Sequence, residues 1–354
     1  MAFVQSRGTQ FTLDGRPFFF AGTNNYYLPY KSNFMVDAVL DAARALGLQV
    51  IRTWGFLDSN KEGVYFHYWD PRSGAPGFND GPTGLEHLDY VIDAARQRGL
   101  KLIVPLVNNW QDFGGVDQYA AWYGLNSHQD FFVDPRPRQA YKDWISHLVN
   151  RTNVRNGLQY RDDDTILAWE LGNELRCPGN AVALLAWVGE ISTFLRENAP
   201  NHLIGVGDEG FLRRVGSPDW TYDGSQGSDF EAFLAIPNVD FGAFHLYPET
   251  WGKARDFGDY WIKDHIDCCA RANKPALLEE YGMQDASARD AVYQRWLDEM
   301  YQQGGAADLF WMLAAAQDDD TLYPDFDGFT LHPNSIPGAI ISHAARMRDK
   351  NTNG

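Results

Sequence analysis

Eight short apolar runs, separated by helix-like stretches, constrain the fold more than any other feature of this sequence. The runs cover residues 18–22, 49–54, 102–107, 166–171, 203–206, 239–244, 276–280 and 309–313. Amphipathic stretches predicted as helices lie between them, for example at 35–46, 85–98, 138–150, 182–198, 261–272 and 288–303. Apolar strands that alternate with helices are typical of a parallel sheet whose faces are covered.

A repeated segment narrows the sheet to a barrel. Asp41-Ala-Ala-Arg-Ala-Leu-Gly-Leu-Gln-Val returns as Asp93-Ala-Ala-Arg-Gln-Arg-Gly-Leu-Lys-Leu, and Ala270-Arg-Ala-Asn-Lys-Pro-Ala-Leu is a looser third copy. In the first two copies a helix ends at a glycine suited to the left-handed cap, and a strand follows. Repeated units of this kind, together with eight predicted strands, favour an α/β fold of the (β/α)8 TIM-barrel type over an open sheet. No linker divides the chain, so we predict one domain over residues 1–354.

The charge of the chain excludes several classes of partner. Thirty Lys and Arg residues stand against 47 Asp and Glu residues, giving a net charge of −17. Without clustered basic residues, nucleic acid and anionic membrane surfaces are not expected partners. No apolar segment is long enough to span a bilayer, and the N-terminal residues lack the apolar core of a signal peptide. The protein is therefore cytoplasmic or, as we expect, a secreted mature form, and we expect a monomer.

Cysteines and known motifs give few further assignments. The three cysteines are Cys177, Cys268 and Cys269, and the adjacency of the last two leaves at most one ordinary disulfide. Residues 205–210 match G-x-G-x-x-G, but Gly216 and Pro218 would break the helix that a dinucleotide site needs. Metal and acyl-transfer motifs do not occur, and the acidic triplets 162–164 and 318–320 are typical of solvated loops. We predict neither a metal nor a cofactor.

Catalytic side chains of a barrel belong where strands end and the following loops begin. The residues at those places are Arg52, Trp54, Asn108, Asn109, Trp110, Asn173, Glu174, Asp208, Glu209, His245, Tyr247, Glu279, Glu280 and Trp311. The set is rich in carboxylates, amides and aromatic rings. The loop-rich stretches 59–84, 108–134 and 207–228 are long enough to build a cleft around them.

Two carboxylates stand out because each ends an apolar strand. Glu174 follows the fourth strand, and Glu280 ends the seventh, 106 residues later. Two such glutamates can face one another across a barrel mouth, as a glycosidase requires of its acid and its second carboxylate. Two other interpretations stay open from spacing alone. The pair can be rim charges balanced by arginines, or Glu170 and Glu279, on the opposite strand faces, can be the working carboxylates.

With these residues in place, the whole chain resembles glycoside hydrolase family 5, and more narrowly its β-mannanase subfamily. The family pattern is matched by Arg52, Asn173-Glu174, His245-Leu-Tyr247, Glu280-Tyr-Gly and Trp311. Segments similar to mannanases are Arg52-Thr-Trp-Gly-Phe, Asn108-Asn-Trp-Gln-Asp-Phe-Gly-Gly, Trp169-Glu-Leu-Gly-Asn-Glu-Leu-Arg and Asp208-Glu-Gly-Phe. Two positions depart from the pattern. Leu175 stands where proline is common, and Cys177 lacks the nearby second cysteine of secreted fungal relatives.

The resemblance implies a retaining reaction, with Glu280 as nucleophile and Glu174 as acid/base. Arg52 and Tyr247 would hydrogen-bond Glu280 and keep it ionised, and Glu280 would in turn raise the pKa of Glu174. The resemblance implies further roles. Asn173 would bond the sugar 2-OH, Trp311 would form the floor beneath the sugar, and Trp110 would be a stacking platform. His245 would orient Glu174 or contact the substrate, Arg176 would contact the aglycone, and Glu209 would contact the glycone. Trp54 and Asn109 complete the predicted substrate-binding set.

The resemblance therefore predicts an endo-acting β-1,4-mannanase whose partner is β-mannan or its oligosaccharides. Three activities that share this catalytic set remain alternatives: an exo-β-mannosidase, a mannan transglycosylase and an endo-β-1,4-glucanase. Loops that the sequence does not fix decide among them. A non-catalytic carbohydrate-binding barrel would be expected to lack one carboxylate of the pair, and this chain has both.

Overall fold

A computed structural model describes residues 2–59 and 63–352 and contains a closed barrel of eight parallel strands. The strands are β1 (Phe20–Asn24), β2 (Val50–Arg52), β3 (Lys101–Pro105), β4 (Ile166–Glu170), β5 (Leu203–Gly205), β6 (Gly242–Leu246), β7 (Ala276–Tyr281) and β8 (Ala307–Phe310). Consecutive strands pair with one another except for β5 and β6, and β8 pairs with β1. Backbone hydrogen bonds from Asp240 N to Ile204 O (2.8 Å) and from His245 N to Glu209 O (3.1 Å) join β6 to the β5 side. The predicted TIM barrel is confirmed.

Helices cover the outside of the barrel. They are α1 (Asn33–Ala45), α2 (Glu86–Gln97), α3 (Gly115–Trp122), α4 (Asp130–Val133), α5 (Pro135–Asn150), α6 (Ala181–Asn198), α7 (Phe230–Leu234), α8 (Phe257–Ala272), α9 (Arg289–Gln303) and α10 (Gly338–Thr352), with 3-10 turns at Leu28–Tyr30 and Tyr160–Asp162. In α2 the buried residues Leu88, Val91, Ile92 and Ala95 follow the helical period, so one face packs on the sheet. None of the described helices is long and apolar enough to cross a membrane.

The repeated helix–glycine–strand units are confirmed. Gly47 follows α1 and Gly99 follows α2, both with positive φ, and β2 and β3 begin soon after them. At the looser third copy, Asn273 takes the left-handed position after α8. These caps turn each helix back into the next strand of the barrel.

The N-terminal end of the barrel is closed by a small antiparallel sheet that the sequence did not predict. Its strands are Gln5–Arg7, Gln10–Leu13 and Arg16–Pro17. Phe11 is buried, with ring centroids 5.4 Å from Phe20 and 5.6 Å from Phe241. A cleft that admits a ligand to the barrel interior must therefore lie at the other end, where the strands terminate.

Several predicted boundaries are wrong. Strand β1 lies two residues later than predicted, and β8 ends at Phe310, so Trp311 follows that strand instead of lying on it. Strand β6 extends to Leu246, so His245 lies within it, and β2 ends at Arg52, two residues before Trp54. These shifts arise because apolar patterning marks burial, and buried residues continue beyond the hydrogen-bonded ladder.

The loops contain more regular structure than the sequence indicated. Stretch 108–134 includes α3 and α4, and stretch 59–84 includes a hairpin of His67–Asp70 and Ala75–Phe78, whereas its residues 60–62 lie outside the described residues. Stretch 207–228 contains no helix or strand, so none begins within residues 205–210. The glycine motif there has a packing reason, since a Cβ on Gly207 would lie 2.1 Å from Gly172 O.

The predictions for the cysteines and for the two acidic triplets had different outcomes. All three cysteines are free and buried. The triplet 318–320 is exposed, as expected of a solvated loop. Asp163 in the other triplet is instead fully buried, where it accepts hydrogen bonds from Arg96, Asn156 and Thr165 N.

Candidate active site

A cleft of about 670 Å3 lies at the end of the barrel where the strands terminate. Nine of the twelve predicted site residues line it: Trp54, Trp110, Asn173, Glu174, Arg176, Glu209, Tyr247, Glu280 and Trp311. The other three, Arg52, Asn109 and His245, are buried beside or beneath it. The loops after six different strands thus converge on one place.

Glu280 reaches the cleft from β7 through an irregularity in the strand. Phe244 pairs with Leu278 and His245 pairs with Glu280, so Glu279 is an extra residue in the ladder, as in a β-bulge. Because of this bulge, Glu279 and Glu280 both point toward Arg52, with oxygens 3.5 Å and 2.6 Å from its guanidinium. The predicted placement of Glu279 on the opposite strand face is therefore wrong.

Arg52 is fully buried and fixes the orientation of the site from below. Its Nη1 donates to Glu280 Oε1 at 2.6 Å, its Nη2 to Asn173 Oδ1 at 2.9 Å and its Nε to Glu170 Oε2 at 2.7 Å. Tyr247 donates its hydroxyl to the other oxygen of Glu280 at 2.7 Å. The predicted contacts of Arg52 and Tyr247 with Glu280 are confirmed, and they aim one carboxylate into the cleft.

Glu174 stands on a strained turn after β4. Its φ is 58°, a left-handed conformation that costs a non-glycine residue about 1–2 kcal/mol. Backbone hydrogen bonds from Glu174 N to Gly207 O (2.7 Å) and from Asn173 N to Val107 O (2.7 Å) hold this turn against the neighbouring loops. This left-handed backbone conformation directs the Glu174 side chain toward Glu280.

Hydrogen-bond donors surround the Glu174 carboxylate. His245 Nδ1 lies 2.8 Å from its Oε1, and Trp110 Nε1 donates to its Oε2 at 2.5 Å. Burial alone would raise the pKa of Glu174, but the hydrogen bonds from His245 and Trp110 lower it below its ordinary value. The predicted rise in the pKa of Glu174 is thus reversed in the free protein.

The proton of the site belongs to His245. Its Nδ1 faces Glu174 and its Nε2 lies 3.4 Å from Glu279 Oε2, so both ring nitrogens face carboxylate oxygens. Burial would lower the pKa of His245, but the Glu280 and Glu174 carboxylates raise it well above its ordinary value. At Glu280, burial raises the pKa, and the charges of His245 and Arg52 oppose that rise.

Three asparagines shape the floor near Glu174. Asn173 accepts from Arg52 through Oδ1 and donates to Asn108 Oδ1 at 3.1 Å, which leaves one amide hydrogen for a ligand. Asn109 Oδ1 accepts from Arg176 N at 2.9 Å and lies 3.1 Å from His128 Nε2. Asn108 therefore lines the cleft, whereas Asn109 holds the loop that carries Arg176.

Arg176 and Glu209 form a bidentate ion pair on the β4–β5 side of the cleft. The two bonds measure 2.6 Å and 2.7 Å, and Arg176 also donates to Gln226 Oε1 at 2.7 Å. The guanidinium lies 5.0 Å from the Trp110 ring centroid. The prediction that Arg176 and Glu209 serve opposite sides of the cleft is wrong, because their direct pairing places them on one side.

Aromatic rings form the opposite, β8–β1 side. The Trp311 ring is nearly parallel to Tyr26, with centroids 6.1 Å apart, and lies 5.8 Å from Trp54. Trp311 Nε1 donates to Asp327 Oδ2 at 2.7 Å, which fixes the indole plane. A flat apolar surface of this kind suits the C–H face of a sugar ring.

The structure adds lining residues that the sequence did not single out. They are Tyr26, Asp112, Phe113, Trp220, Thr250, Trp251, Asp327 and Phe329. Except for Tyr26, which lies two residues after β1, these residues lie four or more positions beyond the strand ends, where no spacing rule places them. Asn24 was also missed, and it accepts from Arg52 Nη1 at 3.3 Å. If the end of β1 had been predicted correctly, Asn24 would have been among the residues expected at the strand ends.

The donor set gives no reason to assign a metal. Glu174, His245 and Glu280 each place one potential ligand atom within 4.8 Å of the other two. Both ring nitrogens of His245, however, face carboxylate oxygens, and its raised pKa favours the protonated ring, which offers no lone pair. The geometry serves proton transfer between a histidine and two carboxylates.

Fold and site together define a class: a TIM-barrel hydrolase with paired carboxylates in an open cleft, as in glycosidases. The family described as "GH family 5 beta-mannosidase-like" matches residues 1–304. The chain belongs to this family of glycoside hydrolases.

Proteins similar to this chain carry mannanase names. Mannan endo-1,4-beta-mannosidase F of Aspergillus fumigatus is 41% identical over 318 residues, which cover 88% of this chain and 70% of that protein. The solved endo-1,4-beta-mannanase of Rhizomucor miehei has a TM-score of 0.94 and 40% identity, covering 98% of this chain and 99% of that one. The hyperthermostable endo-1,4-beta-D-mannanase of Thermotoga petrophila RKU-1 has a TM-score of 0.86 and 42% identity, covering 93% and 100%.

Proposed function

We propose that this protein is a retaining endo-β-1,4-mannanase that hydrolyses internal bonds of mannan, galactomannan or glucomannan. The observation that carries the proposal is the facing pair of Glu174 and Glu280, which each place one oxygen within 4.8 Å of the other in an open cleft. Carboxyl groups about 5–5.5 Å apart are typical of retaining glycosidases, and wider pairs of inverting ones. Mannan as the substrate is supported by the named relatives.

In the first step, Glu280 attacks the anomeric carbon and Glu174 protonates the departing sugar oxygen. The bond from the anomeric carbon to that oxygen breaks as the glycosyl–Glu280 ester forms. In the second step, Glu174 takes a proton from water, whose oxygen attacks the same carbon and releases Glu280. Two inversions at this carbon give net retention.

The proton for the first step comes from His245. In the free protein the Glu174 side chain keeps 14% of its surface exposed to water in the open cleft, whereas its ion-pair partner His245 is fully buried. A bound sugar chain displaces that water, which disfavours the charged pair and moves the proton to Glu174. The transfer removes both the positive charge of His245, which lowers the pKa of Glu280, and the negative charge of Glu174, which raises it, so Arg52 and Tyr247 remain the groups that keep Glu280 ionised.

The same assignment orients the sugar chain. Glu174 protonates the leaving group, so the aglycone lies toward Arg176 and Glu209, and the glycone lies over Trp311 and Tyr26. We also propose a monomeric enzyme with a single catalytic domain over residues 1–354, since the eight strands form one barrel and both glutamates lie in its cleft. Since a mannan polymer does not cross a membrane, we further propose that the enzyme acts outside the cell.

The products of mannohexaose and cellohexaose test the proposed activity. We expect mannobiose to mannotetraose from mannohexaose and little reaction with cellohexaose. Release of mannose alone would indicate an exo enzyme, and products longer than six sugars a transglycosylase. Cleavage of cellohexaose alone would contradict the mannan assignment while leaving the two-glutamate mechanism intact.

The Arg176→Lys variant tests the aglycone side. Lysine cannot make the bidentate bond to Glu209, so we expect kcat/KM on mannohexaose to fall about tenfold, as for a lost hydrogen bond to a charged group. The cleavage pattern should also shift, because aglycone binding sets the register. Arg136→Lys, a change at an exposed ion pair, serves as the control. An unchanged pattern with unchanged kcat/KM would contradict the assignment.

A further inference from the structure

Beneath the catalytic glutamates lies a second pair of carboxyl groups that the proposed reaction does not use. Glu170 on β4 and Glu279 on β7 are both fully buried, and neither lines the cleft. Glu170 Oε2 accepts from Arg52 Nε at 2.7 Å, and Glu279 Oε2 lies 3.4 Å from His245 Nε2. The two carboxyl groups meet at one nitrogen of Arg52, whose Nε lies 2.7 Å from Glu170 Oε2 and 3.5 Å from Glu279 Oε2.

Each of these carboxyl groups also has one oxygen that lacks a hydrogen-bond donor. Oε1 of Glu170 and Oε1 of Glu279 find no donor among the described residues. Two carboxylates buried beside the same guanidinium nitrogen repel each other in a medium of low dielectric constant, which raises the pKa of one of them. One proton held by the pair would supply a missing donor and remove the repulsion.

The charged surroundings favour ionisation at Glu279. The titratable groups that face the pair are Arg52 on β2, Glu174 after β4, Asp208 after β5, and His245 and Glu280 on β6 and β7. Burial raises the pKa of Glu170 well above its ordinary value. Burial acts in the same sense on Glu279, but Arg52 and the hydrogen bonds from Glu170 and His245 outweigh it and lower its pKa to about 2.

We propose that Glu170 and Glu279 share one proton, so that the pair carries a single negative charge that keeps His245 protonated. The inference rests on the proposed function, since that proton is the one His245 passes to Glu174. Glu170 and Glu279 are positioning residues in this scheme, because they act through His245 and touch no substrate. Their charge sets the pH at which His245 loses its proton. Loss of that proton in turn sets the alkaline limb of the pH–activity profile.

Three variants test how much negative charge the pair of Glu170 and Glu279 carries. In Glu170→Gln the amide oxygen can accept from Arg52 and the amide nitrogen can donate to Glu279, so the single charge stays in place. In Glu279→Gln the charge moves to Glu170, farther from His245. The double variant Glu170→Gln/Glu279→Gln removes the charge.

The pH dependence of kcat/KM on mannohexaose gives the functional readout. We expect the alkaline limb of Glu170→Gln to coincide with that of the wild type and of the surface control Glu197→Gln. The limb of the double variant should move down by about one pH unit, as expected for loss of a nearby charge. Glu279→Gln should show less than half of that shift.

Equal shifts in both single variants would mean that both groups are ionised, and no shift in any variant would mean that the pair does not act on His245. Either result would overturn the proposal.

Infrared difference spectra give a readout that needs no substrate. At pH 7, wild type minus Glu170→Gln should contain the carbonyl stretch of a protonated carboxyl group, and wild type minus Glu197→Gln should lack it. Absence of that band would overturn the shared proton even if the double variant does not fold. A wild-type enzyme that leaves mannohexaose intact would refute the proposed function, and the band would still decide the protonation of the pair.

Discussion

Replacing Glu280 with alanine is expected to lower kcat/KM on mannohexaose by at least about 10⁴-fold, the scale of losing a catalytic nucleophile. The variant retains no group that can form the glycosyl ester, so both steps of the reaction lose their path. Steady-state rates of sugar release, measured against wild type, check this expectation. Because Glu280 also accepts hydrogen bonds from Arg52 and Tyr247, folding must be checked separately.

Two controls make the Glu280 result decisive. Glu280→Gln keeps the side-chain shape and should be similarly inactive, whereas Glu197→Gln, on the exposed face of α6, should behave as wild type. Melting temperatures within about 5 °C of wild type would show that the fold is intact. Azide should restore turnover to Glu280→Ala with inverted configuration, since it enters from the vacated side. Retained activity above a hundredth of wild type would refute the assignment of Glu280.

Replacing Glu174 with alanine is expected to lower kcat/KM on mannohexaose by about 10²–10⁴-fold, the usual contribution of a general acid. A 2,4-dinitrophenyl β-mannoside should lose far less in its first step, because its leaving group needs no proton. Comparing the two substrates separates an acid role from a general loss of binding. His245 and Trp110 lose a partner in this variant, so its melting temperature belongs in the same experiment.

Azide again distinguishes the roles of the two glutamates. With Glu174→Ala and the activated substrate, water attacks the glycosyl ester slowly because its base is missing, and azide needs no base. Azide should therefore accelerate turnover and give a product of retained configuration. An inverted azide product from this variant would exchange the roles of Glu174 and Glu280.

The position of the site was predictable from the sequence because barrel strands end at one rim. Glu174 and Glu280 each follow a buried apolar run, and that pattern places both at the mouth whichever residue ends the hydrogen bonding. The helix–glycine–strand repeat predicted the barrel because helix caps are local structures that depend on neighbouring residues in the sequence.

The geometry below the mouth was not predictable, because it depends on departures from regular strands. Strict alternation placed Glu279 on the far face of β7, whereas the irregular pairing there turns it toward Arg52. The positive φ of Glu174 leaves no signal at a glutamate, a residue type that rarely adopts it.

The electrostatics were beyond the sequence for a related reason. The prediction of a raised pKa at Glu174 considered only Glu280. The nearer donors, His245 and Trp110, come from β6 and from the loop after β3, and only their distances show that they outweigh burial. The pairing of Arg176 with Glu209 likewise depends on two loops meeting in space.

Trapping the glycosyl ester tests the central claim most directly. A 2-deoxy-2-fluoro-mannosyl fluoride reacts through a good leaving group, and its fluorine at C2 slows the second step, so the ester accumulates. Fragmentation of the labelled peptide in a tandem mass spectrometer should then locate one added sugar on Glu280 and none on the adjacent Glu279. An adduct on Glu174, Glu170 or Glu279, or turnover without any adduct, would contradict a double displacement at Glu280.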